Sequence, residues 1–175
     1  MFWRRKTVDL QRGKEIFYRY RGNRFFIDRE EGKVYRKCNI PKETEEEWRQ
    51  DILRRIEREI ASLSGAARVD AIFGYLDLLQ TDDACRYLID FLNTARLDTF
   101  SAIILCEGLR NYLRKSDLNH LSTALCVEGN RMLGKMKTEL LSAPLTVDES
   151  YRTLPWMDED DFSEEALTAR IGRFS

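Results

Sequence analysis

The chain has 175 residues, a length that fits one domain, and its 43% hydrophobic and 34% charged side chains are ordinary for a globular protein. No apolar run approaches the roughly 20 residues that span a bilayer, and no apolar stretch follows the basic start, so we expect neither a transmembrane segment nor a secretory signal. Charge is uneven: residues 1–42 hold thirteen Lys and Arg against five acids, a net of +8, and residues 43–175 hold sixteen against twenty-five, a net of −9. This asymmetry indicates either a surface for a charged partner or two parts that neutralise each other.

Residues 1–41 are predicted to form a basic, aromatic β-meander. Three short segments rich in aromatic and other β-favouring residues lie between residues 15 and 37, separated by Gly22-Asn23 and by a turn that ends at Gly32. Such spacing is typical of hairpins. Three strands are the minimum for a stable sheet, and this sheet would still need a helix against one face.

Residues 42–143 are predicted to form a helical body, either a bundle or stacked helical hairpins. After Pro41 the apolar side chains recur every three to four residues, and Thr44 with Glu47 has the pattern of a capping box at the start of the first helix. Four more helices are predicted near residues 67–80, 83–96, 99–115 and 117–141. The predicted fold class is therefore α+β, with a small N-terminal three-stranded antiparallel sheet, about five antiparallel helices and an acidic tail in one structural domain.

Residues 144–175 are predicted to form an acidic tail. From Val147 onward it carries eight acids and three basic residues, and Ser163 is placed to cap a short helix with Leu167 and Ile171 on one side. Because opposite charges on one chain attract, we expect the tail to pack on the protein's own surface and to shield part of the arginine-rich sheet.

The sequence contains no recognised catalytic or metal-binding constellation. The four cysteines include no C-x-x-C pair and are predicted to be free, mostly buried thiols of a cytoplasmic protein. His120 is the single histidine and accompanies no nucleophile motif, and the consecutive acids 158–161 lack the spacing of a calcium loop. We therefore expect no enzyme activity, no cofactor and no metal site.

Two functions remain open for the charged, aromatic surfaces. The first is a non-catalytic protein–protein interaction module, that is an adaptor, an inhibitor or a subunit of an assembly. The alternative is a nucleic-acid-binding protein in which arginines of the N-terminal sheet contact phosphates and aromatic rings stack on bases. The candidate binding residues are Arg19, Arg21, Arg24, Phe26, Tyr35, Arg36, Trp156, Met157 and Phe162.

Overall fold

The computed structural model describes residues 8–115 and 121–174 of the chain. Within these residues every regular element is a helix and none is a strand. The predicted α+β fold and its N-terminal sheet are therefore wrong, and the described part of the chain is all-helical. It divides into two compact units, Met1–Ala61 and Ser62–Ser175.

Three short helices stand where the β-meander was predicted. They are α1 (Leu10–Arg19), α2 (Arg24–Glu30) and α3 (Gly32–Cys38). Asp9 caps α1 by accepting a hydrogen bond from the amide of Arg12 at 3.0 Å, and Asn23 caps α2 by accepting from the amide of Phe26 at 3.4 Å. Gly22 and Asn23 thus lie between two helices, where a hairpin turn was predicted, and Asn23 caps the second of them.

The buried side chains of α1 explain why the period-two interpretation fails. Ile16 and Phe17 are adjacent in sequence and are 0% and 1% exposed. In a strand such neighbours point to opposite faces, whereas in a helix they share one face with Gly13, which is also buried. Aromatic and β-branched residues favour strands only weakly, so packing overrides that preference in these short segments.

The helices predicted after Pro41 are present. They are α4 (Lys42–Ser62), α5 (Gly65–Leu76), α6 (Thr81–Thr94), α7 (Thr99–Arg114) and α8 (Thr123–Ser142). Helix α4 starts two residues before Thr44, so the predicted capping box is wrong. The predicted start of the last helix at residue 117 lies outside the described residues.

The tail folds into three short helical segments on the second unit. They are α9 (Glu149–Arg152), a 3-10 helix (Glu159–Phe162) and α10 (Glu164–Gly172). Helix α9 packs against α5, and α10 packs against α7 and α8. Leu167 and Ile171 are 2% and 0% exposed, so the predicted short helix and its packing on the protein's own surface are confirmed. The sheet that the tail was expected to shield does not exist in the described part of the chain.

Hydrogen bonds fix the start of the tail to the beginnings of two helices. Thr99 and Thr146 exchange bonds, with the amide of Thr146 donating to Thr99 Oγ1 at 2.9 Å and the amide of Thr99 donating to Thr146 Oγ1 at 3.2 Å. The amide of Ala66 donates to Ser150 Oγ at 2.9 Å. Since amides at helix N-termini lack partners within the helix, these bonds make the tail an integral part of the second unit.

No helix within residues 8–115 and 121–174 combines the length and the apolar character that a bilayer crossing requires.

Candidate functional site

The arginines predicted to contact a partner lie on or beside the first three helices, and their side chains are exposed. Arg19 ends α1 and Arg21 lies in the turn that follows, with a φ of 50°. Arg24 begins α2, and Arg36 lies near the end of α3. All four belong to the first unit and are accessible from solvent.

Three of these arginines form ion pairs with acids of the same unit. The pairs are Arg19 with Glu31, Arg24 Nη1 with Glu45 Oε1 at 3.1 Å, and Arg36 Nη1 with Asp28 Oδ1 at 3.2 Å. The arginine side chains in these pairs are between 52% and 65% exposed. The pair of Arg36 with Asp28 is exposed on both sides and contributes only about 0–1 kcal/mol, whereas Glu31 and Glu45 are only 15% and 22% exposed. The basic N-terminal part is therefore partly neutralised by its own carboxylates.

Tyr35 lies in the core of the first unit, with 4% of its surface exposed. Its ring stacks on Phe17 with centroids 6.4 Å apart, and Phe17 lies 5.7 Å from the ring of Trp48. Its hydroxyl donates to Glu45 Oε1 at 2.8 Å. Burial and then this hydrogen bond raise the pKa of Tyr35. The ring of Tyr35 packs within the protein, joining α3 to α1 and α4.

Replacing Glu45 with Ala should lower the free energy of unfolding by about 1.5 kcal/mol, because the buried hydroxyl of Tyr35 then loses its acceptor. Glu45 also accepts from Arg24, and its side chain is only 22% exposed. Glu46 provides the matched control: its side chain is 59% exposed and lies 3.6 Å from Arg49. Glu46→Ala should change stability by no more than about 0.5 kcal/mol. Urea unfolding of both variants checks this, and equal effects would contradict the role of Glu45.

An exposed pair of aromatic rings lies on α2. Phe25 is 66% exposed and Phe26 is 40% exposed, and their ring centroids lie 5.5 Å apart in an edge-to-face arrangement. The Cζ atom of Arg29 lies 5.6 Å from the centroid of Phe25 and 5.0 Å from that of Phe26. Ile27, the residue after Phe26, is 0% exposed and anchors the helix. We call Phe25, Phe26 and Arg29 the aromatic patch.

The binding residues predicted from the sequence include Phe26 but not Phe25 or Arg29, although all three belong to the predicted basic, aromatic sheet. In the predicted strand, adjacent phenylalanines point to opposite faces, so only one ring would be exposed. In the helix, neighbouring positions are about 100° apart and both rings can reach solvent. Recognising Asn23 as a helix cap would have given the helix and, with it, the exposed pair.

The C-terminal candidates lie in the second unit and differ in exposure. Trp156 is 72% exposed, in the loop between α9 and the 3-10 helix, and Met157 is half-buried. Phe162 is 9% exposed, and its ring lies 5.0 Å from that of Phe100 in an edge-to-face arrangement. Of these three side chains, Trp156 is the one that presents a large apolar surface to solvent.

A cleft of about 470 Å³ lies beside the tail in the second unit. Its walls are mainly apolar side chains from the end of α8 and from the tail, with Arg152 and Glu164 as charged members. Arg152 forms ion pairs with Glu149 and Glu159. The residues that line the cleft include no Ser, Cys, His or Lys.

The buried thiols of Cys85 and Cys106 are unsuited to nucleophilic chemistry. Burial is the main cause that raises the pKa of Cys106 to about 12 and that of Cys85 to about 11. Neutral thiols are poor nucleophiles and poor metal ligands. In residues 8–115 and 121–174, no three His, Cys, Asp or Glu side chains cluster in a way that could hold a metal ion. His120 lies outside the residues that the structure describes.

No family model matches this chain, and neither the curated proteins nor the solved structures give a significant match.

Proposed function

We propose that this chain is a non-catalytic protein–protein interaction module, an adaptor, inhibitor or assembly subunit, whose partner docks on the aromatic patch. The observation that supports this most directly is the exposed, edge-to-face pair of Phe25 and Phe26 with the guanidinium of Arg29 over both rings. Aromatic side chains and arginine are enriched at protein interfaces, and their burial supplies much of the binding free energy.

The alternative function, nucleic-acid binding, has less support. Arg19, Arg24 and Arg36 pair with Glu31, Glu45 and Asp28, and these carboxylates would repel a closely spaced row of phosphates. Tyr35, which was expected to stack on bases, is buried. A stacking platform of Phe25 and Phe26 remains, but it is small compared with the surfaces on which single strands usually bind.

A cytoplasmic setting is part of the proposal. Cys38, Cys85 and Cys106 are buried free thiols, and Cys126 is a half-buried one. Free thiols of this kind are typical of proteins in a reducing compartment.

The proposal predicts that Phe25→Ser combined with Phe26→Ser abolishes partner capture without unfolding the protein. Both rings are exposed, so their replacement should cost little stability. Val34, which is 43% exposed on α3, provides a matched control as Val34→Ser. The experiment is quantitative affinity capture from the native cell, followed by mass spectrometry. We expect one or more proteins that the wild type and the Val34 variant retain and the double variant loses. Equal capture by all three, or no reproducible partner, would contradict the proposal.

A further inference from the structure

We infer that the aromatic patch binds an acidic–apolar segment of the partner, in which a large apolar side chain is flanked by Asp or Glu. This inference rests on the proposed function and adds the chemistry of the partner. It follows from the charge around the patch, from the donors of Arg24, Arg29 and Arg36, and from the acids on the patch helix.

The charge of the segment that carries the patch is positive. Residues 19–38 contain seven Lys and Arg against three acids, a net of +4. The positive residues include Lys33 and Lys37 on α3, which are both exposed. Charge complementarity therefore favours carboxylates around the apolar group that covers the rings.

The arginines retain donors for such carboxylates. Each guanidinium carries five N–H donors, and the hydrogen bonds of Arg24, Arg29 and Arg36 to neighbouring acids each use one nitrogen. The acids that they contact are Glu45, Glu30 and Asp28, respectively. A second carboxylate can thus bind without breaking the existing pair, and Arg29 can hold it directly above the rings.

Two acids on the patch helix disfavour a uniformly anionic partner. The side chains of Asp28 and Glu30 are 50% and 45% exposed. A lipid surface or a nucleic-acid backbone presents closely spaced negative charge, which these carboxylates would repel. A protein segment can place its few carboxylates next to the cations and away from Asp28 and Glu30.

Selection from a random-peptide display library on the full-length protein tests this inference. We expect the wild type and Val34→Ser to enrich peptides in which Trp, Phe or Leu is flanked by Asp or Glu. Synthetic copies of these peptides should bind Phe25→Ser/Phe26→Ser at least about 30-fold more weakly, the size of an interface hot spot. They should bind Arg29→Gln about threefold more weakly, as expected for one exposed charge pair. Replacing the peptide's own acids with Asn and Gln should weaken binding to the wild type.

The possible failures are distinguishable. Enriched peptides that need Phe25 and Phe26 but show no excess of acids would overturn the inference and leave the proposed function standing. The absence of any peptide that depends on the two rings would also overturn it, while the captured cellular partner decides the proposed function separately. The patch could instead bind phosphatidylserine-containing vesicles or a single-stranded oligonucleotide more tightly than any selected peptide. That result would show that its ligand is a lipid surface or a nucleic acid and not an acidic–apolar segment. Self-association of the wild type that is lost in the double variant would show that the patch binds a second copy of the chain.

Discussion

Replacing Phe162 with Ala should lower the free energy of unfolding by about 3 kcal/mol, in the range of other truncations of buried phenylalanines. Phe162 is 9% exposed, and its ring packs against Phe100 from the tail side of the second unit. Arg152 adds a contact, with its Cζ atom 5.2 Å from the Phe162 centroid. Removal of the ring leaves a cavity that the surrounding side chains fill only in part. Urea unfolding followed by circular dichroism measures the loss.

Trp156 provides the matched control for Phe162, since both were predicted from sequence to bind a partner and lie six positions apart. Trp156 is 72% exposed, so Trp156→Ala should change stability by no more than about 0.5 kcal/mol. If Phe162→Ala were as stable as the wild type but failed to bind the captured partner, the ring would be a contact residue and its packing on Phe100 would be contradicted.

Gly65→Ala should be destabilising by about 2–4 kcal/mol, because position 65 combines a left-handed backbone with a lack of space. Its φ is 51°, and a Cβ atom there would overlap the side chains of Ser150 and Asp148. The same two side chains hold the start of α5: Ser150 accepts from Ala66, and Asp148 accepts from the amide of Ser150 at 2.9 Å. Moving them aside would break these bonds as well.

Substitution of Gly74, in the same helix, should have the opposite effect on stability. Gly74 is exposed, and no atom lies within 4 Å of the position that its Cβ would take. Gly74→Ala should therefore stabilise the protein by about 0.5–1 kcal/mol, the usual gain for alanine over glycine inside a helix. Thermal unfolding of both variants provides the comparison, and a loss of stability at both positions would show that the environment of Gly65 is not special.

The sequence predicted the helical part of the fold because long helices repeat their apolar side chains over several turns. In α4, Trp48, Ile52, Ile56 and Ile60 follow this spacing and are all buried. Helices α1, α2 and α3 are ten residues or shorter, so each repeats its apolar spacing over only a few turns. Their starts depend on single caps such as Asn23, which also fits a hairpin turn. The local sequence pattern fits both a hairpin and a pair of short helices, and packing in the first unit selects the helices.

Part of the candidate surface could be predicted from the sequence. The cluster of cations and aromatic residues between 19 and 36 was visible, and the structure places its arginines at the surface. Which ring is buried depends on contacts distant in sequence: Tyr35 lies inside because Phe17 covers its ring and Glu45 bonds its hydroxyl. The exposure of Phe25 follows from the helix at that position, which was not predicted.

Site-specific photo-cross-linking tests the central claim, that the partner docks on the aromatic patch, most directly. A photoreactive phenylalanine analogue is placed at position 25 and, as a control, at position 50, where Gln50 is exposed on α4 of the same unit. After irradiation in the native cell, we expect position 25 to give one dominant covalent adduct with the captured partner and position 50 to give none of comparable yield. An adduct from position 50 alone, or equal adducts with many unrelated proteins from both positions, would contradict the assignment of the patch as the docking surface.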